Sequence, residues 1–145
     1  MTTTSRDLTQ LAHNHDITLT HHTTGPKGWY HPTTRTISTR RGLSNAQYRS
    51  TLAHEIAHAI RGDNPTTHGW FNHHQETRAD QWAAKFLITP SDFTAACAWA
   101  RGRINAIAEE LDVTQHLVAV YPRYIHPTHL NGTLTGLSTS NYTLR

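Results

Sequence analysis

Apolar positions along the chain change their period more than once, and each change marks a different kind of element. Leu8, Leu11 and Ala12 share one side of a helical pattern, which predicts a short helix over residues 5–14. In residues 16–24, Ile17, Leu19 and His21 alternate with Thr18 and Thr20, the period-two pattern of a half-buried strand. Gly25-Pro26-Lys27-Gly28 reads as a turn. Trp29-Tyr30 and Thr36-Ile37-Ser38-Thr39 read as two more short strands around Pro32. Together the three predict a small, twisted, antiparallel sheet.

The period then lengthens. Ser44-Asn45-Ala46-Gln47 is a capping box, and the helix it opens is expected to run to about Arg61, with Tyr48, Leu52, Ile56, Ala59 and Ile60 on its apolar stripe. Gly62 suits the residue after the last turn, and Asp63-Asn64-Pro65 stops the helix. Residues 63–73 are read as a loop carrying His68, Trp70, Phe71 and His73. A second helix is predicted over 74–87, with Ala79, Ala83, Phe86 and Leu87 apolar. Pro90 opens a third over 91–101, followed by helices at 103–111 and 115–121. Residues 126–145 are Thr, Ser, Gly and Asn with isolated leucines, the composition of a flexible polar tail. The expectation is one α+β domain over 1–125 and a tail over 126–145.

Composition narrows the classes. An apolar content of 36% in 145 residues suits one modest core with much loop around it. A formal charge of +3, with no long Lys/Arg block, gives no sign of a dedicated nucleic-acid arm. Cys97 is the only cysteine, so no intrachain disulfide forms, and its neighbours Ala95, Ala96 and Ala98 mark it as a buried small residue. The first sixteen residues lack an apolar signal core, and no run approaches the ~18 apolar residues of a membrane span. A soluble cytoplasmic protein that does not contact membrane is expected.

The chemistry lies in His54-Glu55-Ile56-Ala57-His58, inside the best-marked helix. Residues four apart share a helix face, so two imidazoles can aim at one point, and Glu55, rotated by about 100°, borders the same site. Two neutral imidazoles suit zinc, and a carboxylate beside the ion can take a proton from water. With 13 histidines in the chain the five-residue pattern alone is weak, so the reading turns on a third ligand. A longer three-histidine pattern would need Gly and His at positions that hold Arg61 and Asn64. Asp63 is read as too close to the end of the same helix to reach the ion. Glu76 is the best candidate, with Asp80 one turn later to orient a ligand histidine, most naturally His54. His73 and His74, just before the second helix, are the alternative third ligands. His21, His22, His31, His116, His126 and His129 read as surface residues.

Residues 51–62, TLAHEIAHAIRG, followed by 75–90, QETRADQWAAKFLITP, resemble the ImmA/IrrE family of metallo-endopeptidases. Glu76, Ala79, Asp80, Trp82, Ala83, Leu87 and Pro90 stand at that family's motif positions, with Phe86 in a usually aliphatic slot, Ala57 where Gly is common and Trp82 where Phe is usual. The resemblance covers about residues 5–120. It implies a zincin-like α+β fold, with the small sheet packed on an active-site helix and a glutamate-ligand helix, and a helical C-terminal part. It also implies one Zn2+ per chain and hydrolysis of one or a few regulatory proteins, often DNA-binding repressors, in bacteria, phages and mobile elements.

In that reading His54, His58 and Glu76 hold the ion, Glu55 is the general base, and Asp80 orients a ligand. His68, His73, His74 or Tyr30 supplies a donor to the oxyanion. Two other functions remain open. Ala108, Leu111, Val113 and Val118 have the spacing of a helix-turn-helix over 103–122, which would make the chain a DNA-binding regulator with a structural zinc site. Against direct nucleic-acid binding, Pro122 shortens the second helix, which offers Gln115 and His116 but no Arg or Lys before Arg123. The other is a non-catalytic antagonist that binds a repressor.

Overall fold

A computed structural model of the chain describes residues 4–64 and 69–123. His68 and the expected tail at 126–145 lie outside them. Helix α1 (Ser5–Asn14) leads into strands β1 (Thr18–His22), β2 (Gly28–His31) and β3 (Thr36–Arg40). Helices α2 (Asn45–Arg61), α3 (Gly69–Leu87), α4 (Pro90–Ala100), α5 (Ile104–Leu111) and α6 (Gln115–Val120) follow. The architecture is α+β, as expected. Among the described residues no helix is long and apolar enough to cross a membrane.

The sheet is mixed rather than antiparallel, with order β1-β3-β2. β1 runs parallel to β3, with Leu19 opposite Ile37, and β2 runs antiparallel to β3, with Tyr30 also opposite Ile37. Alternation along a strand says which residues share a face and is silent on the direction of the neighbour, which is why the parallel pair was not foreseen. Burial chooses the centre: Ile37, Ser38 and Thr39 of β3 are buried, whereas no residue of β1 or β2 is. β1 therefore reaches the middle strand only after the chain has crossed to the far edge as β2.

α2 is the axis of the core. Leu52, Ala53 and Ile56 are fully buried, and the helix packs against α1, β2 and β3 on one side and α3 on the other. Its capping box forms as read, with Ser44 Oγ accepting from Gln47 N and Gln47 Oε1 accepting from Ser44 N. Arg49, 2% exposed, donates to the carbonyls of Leu111 and Asp112 and so ties α2 to the α5–α6 turn. Asp112 takes the left-handed conformation there, with φ of 52°. Cys97 is buried in the α4 part of the core.

α3 starts at Gly69, five residues before the expected 74. Pro65 is the last upstream residue that a helix interior excludes, and once a helix is nucleated its backward extension through neutral residues is inexpensive. α6 buries Leu117, Val118 and Val120 and packs on α3 and α5; Gln115 is its one exposed residue. A recognition helix needs a free face, and this one has almost none.

Gly28 opens β2 instead of closing the turn before it. A Cβ built there would stand 2.5 Å from Thr51 Cγ2 and 3.3 Å from Glu55 Cγ, so the missing side chain lets β2 lie directly on α2. Gly28→Ala is expected to cost about 1–3 kcal/mol in urea unfolding, because the added methyl would overlap Thr51 Cγ2 and force a shift. An unchanged unfolding midpoint would contradict this close approach.

Candidate metal centre

The capping box and the left-handed Gly62 fix the register of α2, and that register brings His54 and His58 side by side. Their Nε2 atoms lie 3.1 Å apart. α3 presents Glu76 to both, with Oε2 3.0 Å from His54 Nε2 and Oε1 3.0 Å from His58 Nε2. One ligand atom from each of the three residues falls within 4.8 Å of the others, a group that can hold a metal ion. A tetrahedron with bonds of about 2.0–2.1 Å has edges of about 3.3 Å, so the spacing suits a small divalent cation with little adjustment.

Both outer ring nitrogens are fastened by carboxylates. His54 Nδ1 meets Asp80 Oδ1 at 2.8 Å, as the sequence reading anticipated for Asp80. His58 Nδ1 meets Asp63 Oδ2 at 2.9 Å. A carboxylate accepts, so each Nδ1 donates, and in the neutral ring Nε2 is left as the lone pair facing the ion.

Asp63 is not in the converging group, as expected, but it has a role that the sequence reading misses. Gly62 at φ 68° turns the chain back, and Asp63 N–H donates to the His58 carbonyl at 3.0 Å. That closing turn carries its side chain under His58. Gly at the end of the helix followed by Asp was the signal available for it.

Glu55 is 9% exposed and lines a cleft of about 410 Å³ together with Gly28, Trp29, Tyr30, His58 and Glu76. Of the expected oxyanion donors, Tyr30 lies on this cleft. His73 and His74 are exposed on α3 and do not line it; His68 lies outside the described residues. The alternative of His73 or His74 as third ligand finds no counterpart, since the converging group found among the described residues contains Glu76.

Three histidines read as surface residues have hydrogen-bond partners, His21 Nδ1 lying 3.1 Å from Thr39 Oγ1. The His22 ring stacks on Trp29 at 3.8 Å, with Nε2 donating to the Pro26 carbonyl at 2.7 Å, and so holds a wall of the cleft. His116 Nε2 donates to Asp80 Oδ2 at 2.8 Å.

Burial disfavours a charged His54, but hydrogen bonds to Asp80 and Glu76 outweigh it and push the ring up to about 10. Burial likewise opposes charge on His58, and the Glu76 bond raises it nonetheless. Glu76 is held well below the usual carboxylate range by its bonds to His54 and His58. Burial acts to raise Asp80, yet the bonds from His116 and His54 hold it at about 2. Burial raises Glu55, against the pull of the two histidines. Protons on these groups and a cation compete for the same donor atoms.

A family model described as Peptidase_M78, IrrE N-terminal-like domain, matches residues 11–120. Among solved structures, a Mycobacterium tuberculosis transcriptional regulator is similar, with a TM-score of 0.59 and 19% sequence identity over 81% of this chain and 41% of that one. At that identity the likeness is one of fold, and this chain spans about two fifths of the regulator's length. No curated protein matches the chain significantly.

In chelator-stripped protein, with Asp80 and Glu76 raising His54, its contribution to stability should be fully present below pH 6.5 and be lost as pH rises through about 10. Asp80 contributes above pH 3.8 and loses its share as pH falls through about 2. Metal affinity should run the other way from His54, strengthening with pH. Zinc added to chelator-stripped protein at pH 8 should release about one proton per ion, measured by calorimetry in two buffers of different ionisation enthalpy. Binding without proton release would contradict the protonated cluster.

Proposed function

The chain belongs to the Peptidase_M78 family, and from that premise we propose that it is a zinc-dependent metallo-endopeptidase cutting one or a few regulatory proteins in the cytoplasm. The observation that carries this reading is the His54, His58 and Glu76 donor set, with both outer nitrogens anchored and a buried glutamate beside it. Two imidazoles and one carboxylate suit zinc, and three protein ligands leave a position open, as catalytic sites do.

Bound zinc supplies Lewis acidity, polarising a peptide carbonyl and making water easier to deprotonate. The protein does the rest. Asp80 and Asp63 hold the rings so that both Nε2 lone pairs converge. Glu55 takes the proton from the attacking water and passes it to the leaving amine. β2 packs on the Glu55 stem at Gly28, beside the cleft that Glu55 lines. Tyr30, on the wall of the same cleft, is the oxyanion donor we favour. A DNA-binding repressor is the substrate class we favour; that the similar structure is a transcriptional regulator agrees with a place in gene control.

Glu55→Gln should retain one zinc per chain and lose cleavage by about 100-fold or more. New N-termini generated by the zinc-loaded chain in a proteome-derived peptide library, counted by mass spectrometry, measure this. Equal cleavage by the variant, or none by the parent, would reject the assignment.

A further inference from the structure

Asp80 has two carboxylate oxygens, and each is committed to a different helix. Oδ1 accepts from His54 on α2 and Oδ2 accepts from His116 on α6, both at 2.8 Å. A carboxylate held by a single hydrogen bond turns freely about its last torsion, because terminal torsions onto planar groups have broad wells. A second bond from a different direction removes that freedom. The first turn of α6 is itself fixed: Thr114 Oγ1 accepts from Leu117 N–H at 3.4 Å, and Thr114 N–H donates to Ser50 Oγ on α2 at 3.1 Å. The donor that steadies Asp80 is thus anchored to the helix whose ligand Asp80 orients.

We propose that His116 is a positioning residue for the metal centre, acting through Asp80 to fix the ring of His54, so that the α5–α6 pair is part of the site's support. This rests on the metal-binding reading of His54, His58 and Glu76. Partners that orient a metal ligand usually change affinity by about 10–100-fold when removed, and a residue one bond further out should matter less. His116→Leu should weaken zinc binding by about 3–10-fold. His116→Gln keeps an N–H near the Nε2 position and should restore affinity to within about 2-fold of the parent. Val118→Ala trims a fully buried apolar side chain of the same helix and leaves the His116–Asp80 hydrogen bond its donor; it should lower the unfolding midpoint and leave zinc affinity unchanged.

The experiment is zinc competition against a chromophoric chelator, run on the full chain beside the visible spectrum of the cobalt(II)-substituted protein. The Leu variant should shift the cobalt bands, and the Gln and Val118→Ala variants should not. In the parent, which needs no variant to fold, zinc should move the NMR signal of the His116 ring. Parent-like affinity and spectrum in His116→Leu, an unmoved His116 signal, or equal weakening by Val118→Ala would each overturn the inference while the metal site stands. A parent chain that takes up no zinc would overturn the site reading and this inference together.

Discussion

Two histidines one turn apart on α2 face two carboxylates one turn apart on α3, and the rest of the fold holds those four residues in register. Helical repeat alone sets the spacing within each pair. Packing sets the spacing between them, through the buried Ala53, Ala57, Ala79 and Ala83, which let the helix backbones come close. The two imidazoles and Glu76 stand 3.0–3.1 Å from one another. A divalent cation held by the same atoms would need nearly these separations, so the site fits one as it stands.

Support comes from elements that carry no ligand. Gly62 reverses the chain so that Asp63 braces His58. Gly28 removes a side chain so that β2 can pack on the Glu55 stem, and His22 props Trp29 along the same strand. Arg49 pins the α5–α6 turn to α2, which keeps α6 against α3 and His116 against Asp80. Three of these devices act through backbone geometry or a single well-placed donor, so they cost the core few apolar positions.

The parts legible from residue order are those decided locally. Ser44, Gln47 and Gly62 mark both ends of α2 within one turn of each end. His54 and His58, like Glu76 and Asp80, needed only the helical repeat to be placed on a common face. What was not legible depends on partners distant in sequence or on a turn of unusual hand. β1 and β3 are parallel neighbours although β2 lies between them in the sequence, and nothing in alternation encodes that direction. Asp63 was set aside because its return depends on a left-handed residue. His116 is 36 residues from Asp80, and its role follows from how α6 packs rather than from its neighbours in the chain.

The central claim is that α2 and α3 offer two nitrogens and one oxygen to a single ion, in a chain whose 13 histidines invite stray binding elsewhere. X-ray absorption at the zinc edge, on protein loaded with one equivalent, tests it most directly. The account predicts a four-coordinate N/O shell at about 2.0–2.1 Å with the scattering of two imidazoles, and loss of stoichiometric binding in Glu76→Ala. A shell of three or more imidazoles, or a spectrum unaltered by that substitution, would contradict it.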